Sequence, residues 1–187
     1  MLDTRETILT HARATAQAHG YGGLSFRELA KAVGVKSASI HYHFPTKGDL
    51  GAELARRYGE EARAALEAIR AEDPDPAICL RKYTAIFRRA LENDNRMCLC
   101  NFLAAEHDDL PEAVRREVRA FADINVAWLA RVLAQGETSA NPAAIERRAL
   151  AIFAAVGGAQ LIARSQGNVL VYDTVIASYR AAGLIPG

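Results

Sequence analysis

Helix breakers are the scarcest feature of this chain. Six prolines and thirteen glycines punctuate 187 alanine-rich residues, so long runs can stay helical without interior proline or the entropic cost of glycine. Strand alternation is nearly missing. The one β-like string, Val169-Leu170-Val171-Tyr172, precedes Val175, Ile176 and Tyr179 at three-four spacing and reads as helix. The fold expected is all-α, with about nine helices. The length allows one domain, or one body with a small accessory domain.

Capping patterns place the elements. Asp3-x-x-Glu6 opens a first helix with Ile8, Leu9, Ala12 and Ala16 on one stripe, ending at Gly20. Ser25-x-x-Glu28 starts a short second helix, with Phe26, Leu29, Ala30 and Val33 inward, that Gly34 stops. Ser37 to Phe44 forms a third, halted by Pro45, and Thr46-x-x-Asp49 caps a long fourth helix that Pro74 and Pro76 close. Further helices are expected at about 77–92, 96–106, 111–134, 142–165 and 170–182. A small N-terminal head, residues 1–48, should therefore be joined by the long helix to a larger helical body, residues 49–187.

Two short helices around a glycine turn, preceded by an amphipathic helix, make the build of a helix-turn-helix, whose second helix enters a DNA major groove. At roughly 100° per residue, Ile40 and Phe44 point one way and Ala38 and Tyr42 nearly opposite, flanked by Ser39 and His41. The outer face is small or polar. On spacing alone a packing hairpin is the commoner reading. Net charge is +1, so polyanion binding must come from local arrangement. The first fifty residues carry four of the five histidines and six Lys/Arg against four Asp/Glu, leaving +2 there and −1 in the rest. That asymmetry favours the same end.

The run Leu24-Ser25-Phe26-Arg27-Glu28-Leu29-Ala30-Lys31-Ala32-Val33-Gly34-Val35-Lys36-Ser37-Ala38-Ser39-Ile40-His41-Tyr42-His43-Phe44-Pro45-Thr46-Lys47-Gly48-Asp49-Leu50 resembles the DNA-binding segment of the TetR family of bacterial repressors. Gly34 in the turn, the aromatics Tyr42 and Phe44, and Phe44-x-x-Lys47 opening the fourth helix stand where that family has such residues. The likeness is strong over about residues 3–60; beyond, only helix number, length and general pattern agree. The resemblance implies that Ser25 and Lys47 hold phosphates, Ser25 beside a helix N-terminus. It implies that Arg27, Ser37, Ala38, Ser39 and His41 reach or line base edges, that Tyr42 and His43 contact backbone, and that Ile40 and Phe44 are core. Lys36 stands where the family often has a small polar residue, and either adds a phosphate contact or sits in solvent.

Motifs for a nucleophile elbow, a phosphate-cradling glycine loop or a zincin helix do not occur. On a helix, His41 and His43 diverge by about 200° and cannot share a metal ion; the same holds for Cys98 and Cys100. No catalytic residue, metal or cofactor is therefore expected. Cys79, Cys98 and Cys100 are odd in number, and the opening Met1-Leu2-Asp3-Thr4-Arg5-Glu6 is charged rather than signal-like, which suggests a reducing, cytoplasmic setting. One of Cys98 and Cys100 should face inward and the other a neighbouring helix or solvent. Either is a small buried hydrophobe or a sensing thiol beside Arg96. Ala149 to Ala163 is too short to span a bilayer and reads as a buried helix, not an anchor.

By the resemblance, Tyr83, Phe87, Met97, Cys98, Phe102, Phe121 and Trp128 surround an effector cavity suited to a small, partly apolar ligand. Each alone reads more often as plain core. Glu106-His107-Asp108-Asp109 reads as a solvated helix end or a polar ligand contact. One short recognition helix reads few base pairs, so a homodimer over a pseudo-palindromic operator is expected. Its interface should lie on the last two helices, at Phe153, Gly157, Gly158, Leu161, Val175 and Tyr179. The expectation is a repressor released from double-stranded operator DNA by a small molecule. The alternative is a helical interaction or ligand-binding module without DNA binding.

Overall fold

The computed structural model describes residues 3–136 and 141–187; Met1 and Leu2, at the head of the opening segment read above, lie outside them. Among the described residues the chain forms nine α-helices and one 3-10 turn, and no strand. They are α1 (Thr4–His19), α2 (Phe26–Val33), α3 (Ser37–His43), α4 (Lys47–Glu72), α5 (Pro76–Glu92), α6 (Leu99–Ala105), a 3-10 turn at His107–Asp109, α7 (Glu112–Gly136), α8 (Pro142–Ser165) and α9 (Val169–Ala181).

The caps explain most boundaries. Ser25 Oγ accepts the Glu28 amide at 3.4 Å, and Asp75 Oδ1 accepts the Ile78 amide at 2.9 Å. Thr46 and Asp49 form a reciprocal box: the Asp49 carboxylate accepts the Thr46 amide at 2.9 Å, and the Thr46 hydroxyl accepts the Asp49 amide at 3.1 Å. Such caps contribute about 1 kcal/mol each. The other two acidic box partners go elsewhere, Glu6 to Arg57 and Glu28 to Lys31. One boundary departs from expectation: α6 begins at Leu99 rather than near 96. Asp94 and Asn95 take φ of 55° and 53°, and the fully buried Gln160 accepts the Cys98 amide at 2.9 Å while donating to the Phe87 carbonyl at 2.8 Å. That amide is thereby lost to any helix.

By packing, the chain falls into two compact units. The first comprises residues 1–59 and 99–121, the second 60–98 and 122–187. In the first, α1 packs on α2 and α6, and α2 on α3, around Ile8, Ala12, Leu29, Ile40, Phe44 and Leu50. In the second, α5 packs on α8 and α9, and α8 on α9. There α8 is not the wholly buried helix expected from its composition. Ile152, Val156 and Ala159 face the core, whereas Leu150, Leu161 and Ile162 are about half exposed, at 56%, 51% and 49%. Apolar residues placed all round a helix bury one face and leave the other for a partner.

A charged clamp joins α1 to α4. Glu53, with a side chain only 16% exposed, accepts from Arg5 at 2.9 Å, Arg56 at 2.8 Å and Arg57 at 2.8 Å, and Arg57 also pairs with Glu6 at 2.6 Å. The Arg56 hydrogen bond above all, with Arg57 and Arg5, outweighs partial burial and pulls the Glu53 carboxyl down to about 2 from 4.5. A depressed carboxyl stabilises the fold fully above 4.5 and loses that contribution as pH falls towards 2. Glu53→Gln should cost up to about 3 kcal/mol at neutral pH and flatten this acid limb. Urea melts at pH 7 and pH 3 check both; equal losses at the two pH values would contradict it.

Candidate nucleic-acid interface

The turn between α2 and α3 is fixed by Gly34, whose φ of 77° lies in the left-handed region. No neighbour lies within 4 Å of the Cβ it lacks, so conformation and not space requires glycine there. The Gly34 and Val35 amides return to the Ala30 carbonyl at 3.0 and 2.9 Å, closing α2. From this turn α3 docks through Ile40 and, just past its end, Phe44, at 0% and 2% exposure, in the core places expected of them.

What remains faces outward. Lys36, Ser37, Ala38, His41 and Tyr42 are exposed, while Ser39 and His43 are half-buried. Tyr42, at 84%, is the most exposed large apolar side chain among the described residues. The His41 ring stands edge-on to Phe26 at 4.8 Å, with Nδ1 3.4 Å from the Pro45 carbonyl oxygen. Arg27 is 80% exposed and pairs with Glu28 at 3.1 Å, which Lys31 also holds at 3.1 Å. These cations, Lys31 foremost, keep the Glu28 carboxyl below its ordinary range. With its oxygen engaged by the Glu28 amide, the Ser25 hydroxyl keeps its proton to offer.

Lys47 is held by residues the sequence did not flag. Its ammonium lies 4.4 Å from the Tyr21 ring centroid and donates to the Gly22 carbonyl at 3.5 Å. That loop is tied in turn to Glu106, which accepts the Tyr21 amide at 2.6 Å and the Gly22 amide at 3.2 Å. Glu106 is thus neither a solvated helix end nor a free ligand contact: it pins the α1–α2 loop to the residue after α6. No pattern within a few residues of Glu106 could announce a partner 85 positions away.

The residues expected around an effector divide between the units. Tyr83, Phe87, Met97, Cys98 and Trp128 belong to the second and are buried. Tyr83 stacks on Trp128 with centroids 5.6 Å apart, meets Phe87 at 5.2 Å and donates its hydroxyl to Asn125 at 3.2 Å. Burial pushes that hydroxyl well above its ordinary pKa, so it stays protonated. Trp128 Nε1 is buried without an acceptor among the described residues. Phe102 and Phe121 belong to the first unit, where Phe121 meets Tyr58 at 5.4 Å.

Cys98 and Cys100 are not split between an inward and an outward face. Because Cys98 precedes the helix, both are buried, at 2% and 1%. Of the expected interface residues, Phe153, Gly157, Val175 and Tyr179 are half-buried and Gly158 and Leu161 exposed. No group of three or more His, Cys, Asp or Glu among the described residues could hold a metal ion, and no described helix is long and apolar enough to cross a membrane.

A docked α3 whose free face carries small, polar and aromatic groups beside exposed cations defines a helix-turn-helix protein. Residues 8–54 match the family of bacterial regulatory proteins described as the tetR family. A TetR transcriptional regulator from Legionella pneumophila is 30% identical over 94% of both chains, with a TM-score of 0.87. A TetR-family transcriptional regulator from Agrobacterium tumefaciens is 31% identical over 92% of this chain and 93% of that one, with a TM-score of 0.86. The reduced form of NemR from E. coli, 23% identical over 96% of both chains, has the same fold, with a TM-score of 0.80. A comparison with curated protein sequences finds no match. The chain belongs to the TetR family of helix-turn-helix, DNA-binding transcriptional regulators.

Proposed function

We propose that the chain is a cytoplasmic, homodimeric repressor that holds a pseudo-palindromic operator and releases it when a small molecule binds its body. It uses no catalytic residue and no cofactor. Residues 1–48 act as the reading head and 49–187 as the effector-binding and dimerising part. The observation that carries the DNA-binding role is the free face of α3, with Tyr42 84% exposed while Ile40 and Phe44 hold the other face in the core. Ser25, Lys36, Tyr42, His43 and Lys47 serve the phosphates, and Arg27, Ser37, Ala38, Ser39 and His41 the base edges.

Pairing is supported by the placement of exposed apolar groups. Of five large ones among the described residues, four lie on α8 and α9: Leu150, Leu161, Ile162 and Leu170. Leu150, Ala154, Gly158 and Leu161 recur at four-four-three spacing, a stripe a second copy could cover. A Cβ on Gly158 meets nothing within 4 Å in its own chain, so Gly158→Leu should fold normally yet hold two copies apart. Either it or Leu161→Glu should yield monomer in sedimentation at micromolar concentration, with loss of tight duplex binding. A dimer unchanged in both variants would place the interface elsewhere.

The effector reading rests on the Tyr83–Trp128 cluster. A buried indole N–H without an acceptor costs about 1–3 kcal/mol, which a ligand carbonyl or carboxylate could recover. Thiol chemistry at Cys98 or Cys100 is a poorer trigger, because reactive thiols need exposure that neither has. Helix α4 begins in the first unit and ends in the second, and is the element we assign to carry the signal; release requires only that the ligand prefer the non-binding conformation.

Selection of duplexes from a random pool by the purified full chain tests the reading. Enrichment of a two-fold repeated motif supports it; no enrichment at low salt would leave a helical module that does not bind DNA.

A further inference from the structure

One face of α5 and one face of α9 enclose a cleft of about 290 Å3 to which none of the roles above assigns a ligand. Arg81, Thr84 and Arg88 line it from α5, and Tyr172, Asp173 and Arg180 from α9. Asp173 is the one carboxylate in the lining, and Arg88 consumes it, Nε to Oδ1 at 2.8 Å and Nη2 to Oδ2 at 3.0 Å. Arg88 also pairs with Glu92 on the next turn. Two guanidinium groups therefore remain without a carboxylate. Arg81 is exposed and its side chain forms no hydrogen bond or ion pair among the described residues. Arg180 donates Nη2 to the Thr84 hydroxyl at 3.1 Å, while its Nε is buried with no acceptor among the described residues.

The donors left to the cleft are those of the two guanidinium groups, because the hydroxyl protons of its walls are spent within the protein. Thr84 Oγ1 donates onward to the Leu80 carbonyl at 3.1 Å and the Arg81 carbonyl at 3.0 Å, and the Tyr172 hydroxyl donates to the Thr84 carbonyl at 2.8 Å. Burial raises the Tyr172 hydroxyl far above its ordinary pKa, so it adds no negative charge. Planar guanidinium groups match oxygen anions in two-pronged fashion, and a desolvated N–H lacking a partner is costly to leave so. We propose that this cleft binds a small oxyanion, a phosphate or carboxylate group, gripped between Arg81 and Arg180 so that α5 and α9 are tied together. At roughly 100° per residue, the α9 residues that line it centre about 105° from Leu170 and about 145° from Thr174, with Asp173 at about 60° and Arg180 at about 80° from Leu170 the nearest of them, so pairing across Leu170 does not require covering the whole of it.

Thermal melts and titration calorimetry of the full chain test this with inorganic phosphate and, separately, succinate, each against sodium chloride at matched ionic strength. The expected result is a saturable rise in melting temperature with at least one of the two, the stronger naming the oxyanion class, and none with chloride. Arg81→Ala, which breaks no side-chain hydrogen bond or ion pair among the described residues, should fold like the parent and bind the anion about fivefold or more weakly, consistent with loss of one charge-assisted pair. Arg180→Met should abolish saturation. Lys47→Ala, on the DNA-reading head, should leave the anion response unchanged. Absence of saturable binding by both anions, binding undiminished in Arg81→Ala, or binding lost in Lys47→Ala would overturn the proposal.

Discussion

Tyr42→Ala and Lys47→Ala each weaken duplex binding to a similar extent on every sequence, because both act on phosphate, but only Lys47→Ala reduces the salt slope, by about 1, since the neutral Tyr42 displaces no counterion. Arg27→Ala and His41→Ala instead relax selectivity at single base pairs by about 1–3 kcal/mol. The geometry separates these effects from folding. Tyr42 is 84% exposed and supports no core, so its loss leaves the melting temperature where it was. Lys47 lies over Tyr21, so its removal also costs about 0.5–1 kcal/mol of cation–π attraction, visible in the melt as a separate, small term. Arg27 must leave Glu28 to reach a base. Glu28→Gln should therefore tighten binding to all sequences, removing a like charge from the phosphate path along with a competing partner. Fluorescence anisotropy across a salt series on matched and single-mismatch duplexes reads all of these; four folded variants that bind like the parent would remove the head from the mechanism.

Gly20→Ala should be strongly destabilising, through both backbone strain and a clash. Gly20 has φ 71° and ψ −171°, a region that is essentially glycine's alone, and an added Cβ would lie 2.4 Å from Glu106 Oε2. That carboxylate can swing away only by releasing the Tyr21 and Gly22 amides. Backbone strain of about 1–3 kcal/mol and a similar loss of charge-assisted hydrogen bonds put the expected cost near 3 kcal/mol or more. In a domain of this size that lowers the melting temperature by roughly 6–12 °C. Glu106→Ala alone should cost less, and the two substitutions together should fall well short of the sum, since the clash vanishes with the carboxylate. Additive costs would show that the loop and Glu106 are not one unit.

Legibility in the sequence followed the range of the interaction that decides each feature. Ser25, Gly34 and the Thr46–Asp49 box act within three or four residues, so the ends of α2 and the start of α4 could be read directly. Helical periodicity put Ile40 and Phe44 on one face, and the family resemblance marked that face as core. The start of α6 could not be read so, because Gln160 captures the Cys98 amide from 62 positions away, and the cysteine geometry that assumed a helix there failed with it. Glu106 and Tyr21 escaped for the same reason. The exposed face of α8 was hidden in another way: leucine and isoleucine register as core in any pattern, whether their cover is the same chain or a second copy.

The Leu150–Leu161 stripe lies in the second unit, while the face of α3 lies in the first. Under the proposed pairing, a subunit with a blinded head still carries an intact stripe and recruits a normal one. Genetics would then read the two surfaces oppositely: lesions at Tyr42 or Lys47 behave as dominant, poisoning half or more of the pool, whereas Leu161→Glu is recessive because it excludes only itself.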